Sequence, residues 1–186
     1  MPKILSISLI AIAFVLGTGF GYVFTPEYSA YGINADHKNG LGATDKYLNL
    51  RYINGMIAHH LSAIYMLEQV KKESQRPELQ GLADVVIELD TNGIEELYAF
   101  KKEMYGDTRK VKNFNKVDLA GADERFDLRF LNAMIIHHME AIDSSREAMI
   151  KSSDKKILET AFAVDNLLSE NMMQLEEWRE GWYAVK

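Results

Sequence analysis

The chain has 186 residues, 21 basic and 27 acidic, for a net charge of −6, and it contains no cysteine. Disulfide scaffolds, thiolate metal sites and cysteine nucleophiles are thereby excluded. The acidic balance, with no Lys/Arg cluster, excludes a nucleic-acid partner.

Residues 4–26, ILSISLIAIAFVLGTGFGYVFTP, carry no charge. About 20 apolar residues at ~1.5 Å each cross a hydrocarbon core of ~30 Å. Two readings compete: a signal peptide with a short apolar core, or an uncleaved anchor. The length, the aromatics Phe20, Tyr22 and Phe24, and the poor cleavage site at Gly17-Thr18-Gly19 favour a transmembrane anchor over 1–26. Lys3 on the near side places the remainder outside the cytoplasm, at the cell membrane or, after cleavage, released from it. Residues 27–44 hold three glycines and a turn-like Asp36-His37-Lys38-Asn39-Gly40, and read as a linker.

The segment 45–184 is built on a repeat. DKYLNLRYINGMIAHHLSAI (45–64) matches DERFDLRFLNAMIIHHMEAI (123–142) at an offset of 78, with ten of the twenty positions identical. The same offset pairs Leu97 with Leu175, Phe100 with Trp178 and Tyr105 with Tyr183. Two copies, 45–105 and 123–183, are thus joined by a connector, 106–122. Each copy reads as a helical hairpin. Ile53, Met56, Ile57, His60, Ile64 and Leu67 recur at three- and four-residue steps; Leu131, Met134, Ile135, His138 and Ile142 repeat the stripe. Pro77 suits the first turn of a second helix, and Asp45 and Asp123 suit N-caps of the first and third. Four helices of about 28 residues give an all-α, up-down-up-down four-helix bundle of two duplicated hairpins.

At 100° per residue His60 falls within about 20° of Ile53, the middle of the apolar face, and His138 stands likewise to Leu131. Met56 and Met134 lie one turn earlier on the same stripe, while His59 and His137 point about 100° further round, toward a neighbouring helix or the rim. If helices one and three run parallel and diagonally opposite, His60 and His138 face each other at one height, with Met56 and Met134 as the next layer. Two imidazoles and two thioethers in a dry interior suit a soft monovalent ion, Cu(I) or Ag(I), better than Mg²⁺ or Ca²⁺. Buried histidines are also ordinary core residues bonded to carbonyls or carboxylates, and helical methionines ordinary packing, so a structural or interaction module is the competing reading. A di-iron enzyme needs Glu-x-x-His, which the sequence lacks, and no hydrolase or phosphate-loop motif occurs, so the chain reads as non-enzymatic.

FDLRFLNAMIIHHMEAI (126–142) resembles the signature of the bacterial domain-of-unknown-function 305 family, and the resemblance extends over both copies. It implies a ferritin-like four-helix bundle, export from the cytoplasm and, in some members, copper or silver handling. The motif positions carry over onto Met56, His59, His60, Met134, His137 and His138 as metal ligands. The chain departs from the family pattern at Gly55 and Ala133, where a second methionine is usual, and at Ala58 and Ile136, where proline is. Where the second helix of the family carries Gln and then Glu, this chain has Asp90 with Gly93 and Leu168 with Asn171. The ending Leu97–Tyr105 suggests a membrane-attached subgroup.

Overall fold

The computed structural model describes residues 40–184; the apolar segment 1–26 and most of the linker lie outside the described residues. Four helices, α1 (Leu48–Glu73), α2 (Pro77–Tyr105), α3 (Phe126–Lys151) and α4 (Lys155–Tyr183), account for most of it. Among the described residues there is no strand, and no helix is long and apolar enough to cross a membrane.

Local chemistry sets the ends. Pro77 occupies the first turn of α2, where its missing N–H costs nothing. Asp154 caps α4 by accepting from the amides of Lys156 and Ile157. Asp45 and Asp123, expected as N-caps, stand two residues before the caps, which are Tyr47 and Arg125. Each accepts the backbone N–H two residues on and an arginine from the next turn, Arg51 at 3.0 Å and Arg129 at 2.8 Å. The same arginines reach back along the chain. Arg51 Nε donates to Leu41 O at 2.5 Å and Arg129 Nε to Leu119 O at 2.6 Å, while their other nitrogens donate to Ala43 O and Gly121 O. The repeated Leu-Arg pair is therefore a clasp that folds the preceding segment onto each inner helix. The clasp draws in Leu41, within the span read as linker, and Leu119, within the connector; both are buried.

The helix order differs from the up-down-up-down expectation. Tyr52, near the start of α1, shares a 3.0 Å hydrogen bond with Ser145, near the end of α3, and His59 stacks on His137. The pairing runs in opposite directions, so α3 is antiparallel to α1. Between Tyr105 and Phe126 lie twenty residues, which extended span up to about 66 Å. α1 is only about 39 Å long, so the connector can cross the whole bundle before α3 begins. It does so along the first hairpin: Val111 N–H donates to Tyr98, Lys101 to Arg109 O, and the Gln69 amide both donates to Val117 O and accepts from Leu119 N–H. The order is up-down-down-up with one long crossover, the connectivity that ferritin-like bundles use.

α1 and α3 form the inner pair and are buried on most of their circumference, while α2 and α4 each bury a single stripe against their own hairpin partner. The apolar core divides into two large clusters and a small one of Ala141, Ile142, Val164 and Leu168. One large cluster gathers Leu67, Val70, Leu82, Phe126, Phe130 and Met134; the other gathers Tyr52, Ile53, Met56, Ile57, Ile157 and Ala161. The histidines lie at the waist between these two.

The repeat also dictates backbone. Gly42 has φ 72°, and its equivalent, Ala120, is forced to φ 60°, where a Cβ costs roughly 1–2 kcal/mol. Ala120→Gly should raise unfolding stability by about 1 kcal/mol in urea titration. Gln69→Leu, which strips the connector of both amide partners, should lower it by about 1–3 kcal/mol.

Candidate metal centre

The four histidines of the repeated motif are all buried, with relative exposures of 3% or less. Their arrangement follows from the antiparallel pairing. A two-fold axis relating residue i to i+78 runs across the helices, and one equivalent pair meets on it. That pair is His59 and His137, whose rings stack with centroids 3.2 Å apart and planes 10° from parallel. His60 and His138 flank the stack on opposite sides, with centroids 6.2 Å from His59 and 6.4 Å from His137 respectively. The expected face-to-face meeting of His60 and His138 is thus replaced by a meeting of the other two, which the helical wheel sends toward a neighbouring helix. That neighbour is α3, respectively α1.

Met56 and Met134 do not form a common layer. Each stands three residues from the axis in opposite directions, about 9 Å apart along the helices, and each belongs to a different apolar cluster. Parallel helices would have brought them level; antiparallel ones separate them. Each methionine remains one turn from its own histidines, Met56 beside His59 and His60, Met134 beside His137 and His138.

Burial keeps the imidazoles neutral. It pushes His60 and His138 down from the usual 6.5 to about 3. His59 is held well below 6.5 by burial and then by the charge His137 would carry, and His137 by burial and then by His138. Neutral rings present lone pairs to a ligand without competition from a proton. Several nitrogens lack hydrogen-bond partners: both of His59, Nδ1 of His60 and Nε2 of His137. Unmet polar atoms in a core cost about 1–3 kcal/mol each, so a cluster of them is unusual for a purely structural layer.

The second helices contribute unequally. Asp90 is fully buried with neither oxygen hydrogen-bonded, and its Oδ1 lies 4.0 Å from His60 Nδ1. Burial drives this carboxyl well above the ordinary 3.8. Gly93 leaves room for the His60 ring: a Cβ there would stand 2.7 Å from Nε2. The sequence marks Gly93 only as a departure from the family pattern; its use shows once α2 is laid against α1.

In the stacked arrangement His59 and His137 cannot share an ion. Their lone pairs lie in parallel planes, so an atom ~2 Å from one nitrogen is nearly twice as far from the other. Among the described residues no three His, Asp or Glu side chains converge tightly enough to hold a metal. The donors fit a soft ion in kind, as neutral nitrogens and thioethers, without a preformed oxygen cage.

Residues 49–126 match the family described as Domain of unknown function (DUF305). The match covers the first hairpin and the connector, and ends where α3 begins. Among solved structures, CopM in the apo form is 25% identical with a TM-score of 0.61, over 71% of this chain and 96% of that one. CopM in the Cu(I)-bound form is 25% identical with a TM-score of 0.62, over 71% and 95%. CopM in an Ag-bound form, at 24% identity and TM-score 0.62 over 71% and 95%, supports the fold. No curated protein sequence matches the chain.

The buried rings set a pH dependence. An unfolded histidine takes up a proton near pH 6.5 that the native ring refuses until about pH 3. Their contribution is therefore whole above pH 6.5 and is lost as pH falls toward 3. The slope is up to ~1.4 kcal/mol per pH unit for each ring. Asp90 acts in the opposite sense, costing stability as the unfolded carboxyl ionises above 3.8. Glu140, pushed up to about 9 chiefly by burial, acts like Asp90; four rings outweigh these two carboxyls between pH 6.5 and 5, so the melting temperature should fall over that range. His59→Phe/His137→Phe should flatten the slope; a melting temperature flat from pH 6.5 to 5 in the unsubstituted chain would contradict neutral burial.

Proposed function

We propose that this protein binds Cu(I), and the similar d¹⁰ ion Ag(I), at the histidine waist between its two hairpins, and that it sequesters or relays the ion rather than catalysing a reaction. The observation that carries this reading is the set of buried imidazole nitrogens without partners at His59, His60 and His137. The thioethers of Met56 and Met134, each one turn away, add soft donors. The likeness to CopM, solved with Cu(I), supports it. The residues that would hold such ions are Met56, His59 and His60 in the first half of the waist, and Met134, His137 and His138 in the second. Low-coordinate Cu(I) takes two or three such donors, and the neutral rings meet it without releasing protons.

In this reading α3 and α4 are a second copy of the DUF305 hairpin. The segment 1–26 tethers the protein to the cell membrane, with the bundle on the extracytoplasmic side, where soft ions are met and the absence of thiols is no handicap.

One observation favours the alternative, a non-catalytic structural or interaction module: the 3.2 Å stack of His59 on His137 is a packing contact, not a coordination geometry. The two readings separate in one measurement. A native-state ligand raises the melting temperature by mass action, by about 2.7 kcal/mol of stability at a hundred times its Kd. Anaerobic Cu(I) should raise the melting temperature of the full chain and titrate stoichiometrically. The double variant His60→Ala/His138→Ala should lose both effects. Unchanged Cu(I) affinity in that variant removes the proposed site, and no shift in the unsubstituted chain returns the histidines to packing.

A further inference from the structure

The two halves of the waist are not equivalent. In the first, the His60 ring is aimed by its neighbours: Nδ1 faces Asp90 Oδ1 at 4.0 Å, and Nε2 lies against the bare backbone of Gly93. Both facing atoms, Nδ1 and Oδ1, lack hydrogen-bond partners, and both residues are buried. A cleft of about 500 Å³ opens between α2 and α4, with His60 and Gly93 on its inner wall. Glu96, Glu103 and Glu159 line its sides, and Lys156 bridges it at one end through Glu103 at 3.4 Å. Three carboxylates against one lysine favour cations in the cleft.

In the second half each of these features is replaced. The residue equivalent to Asp90 is Leu168, packed with Ala141, Ile142 and Val164. The residue equivalent to Gly93 is Asn171, itself buried. Phe100 is replaced by Trp178, which stacks on Trp182 at 5.4 Å. His138 accordingly lies in a half where an aliphatic side chain and an amide stand in place of a carboxylate and a gap.

We propose that the waist is loaded from one side only: the first ion arrives through the α2–α4 cleft at Nε2 of His60, with Gly93 keeping the way open and Asp90 acting as a positioning residue that holds Nδ1–H and so turns the Nε2 lone pair outward. A ligating histidine commonly donates its other N–H to a carboxylate, and loss of that partner typically weakens metal affinity 10- to 100-fold. A movement of about 1 Å closes the Asp90 hydrogen bond. This inference rests on the soft-metal reading above and assigns an order within it.

The test uses the full chain labelled with ¹⁵N-histidine, titrated anaerobically with Cu(I), which is diamagnetic, and followed by imidazole ¹⁵N chemical shifts. Below one equivalent, Nε2 of His60 should shift and the His138 nitrogens should not. Asp90→Leu and Gly93→Asn each install the residue of the second hairpin. Asp90→Leu should weaken binding of the first equivalent 10- to 100-fold, and Gly93→Asn should abolish the preference for His60. Because Gly93→Asn can also disturb packing, the order of shifts in the unsubstituted chain decides. His138 shifting together with or before His60 overturns one-sided loading while leaving metal binding intact. No imidazole shift with added Cu(I) overturns the soft-metal reading itself.

Discussion

The contact of His59 with His137 is the point about which the rest of the molecule is arranged. A duplicated chain whose inner helices run antiparallel has one place where a residue meets its own copy. Here a planar ring occupies it, and two flat faces can approach to 3.2 Å where branched side chains would hold the helices apart. The equivalent pairs on either side diverge, His60 toward α2 and its carboxylate, Met56 and Met134 into separate apolar clusters. Stacking also demands neutrality. Two imidazolium ions at that distance in a dry core would repel strongly, so the geometry and the depressed basicity are one fact.

A polar layer between two apolar clusters has an energetic meaning. The clusters at either end supply the burial that holds the hairpins together, which lets the waist tolerate nitrogens and a carboxyl with no partners. Such concentrated frustration is a common mark of sites kept for binding rather than stability. The clasps of Arg51 and Arg129 lie far from the waist and carry no such cost. They appear in both halves, whereas Asp90 and Gly93 appear in one, so duplication has preserved the scaffold and allowed the site to diverge.

Much of this was legible in the sequence. The apolar stripes and Pro77 located all four helices, because a 3.6-residue period and a missing N–H are local properties. The offset of 78 identified the histidines as symmetry-related. Chain direction was not legible: a stripe says which face is buried and nothing about whether the partner runs up or down. Direction was decided by the connector, whose hold on Gln69 involves backbone atoms of Val117 and Leu119 that leave no side-chain signature. That one reversal exchanged the roles of His59 and His60 and separated the methionines.

The hold on Leu41 has a mechanical consequence. Its N–H donates to Glu147 on α3, its carbonyl accepts from Arg51 on α1, and the next carbonyl, of Gly42, accepts from Lys151 on α3. A pull transmitted along the polypeptide leading into residue 41 is therefore divided between both inner helices, whose mutual sliding the Tyr52–Ser145 bond resists. Force arriving there strains the bundle as a unit instead of unwinding α1 from its first turn.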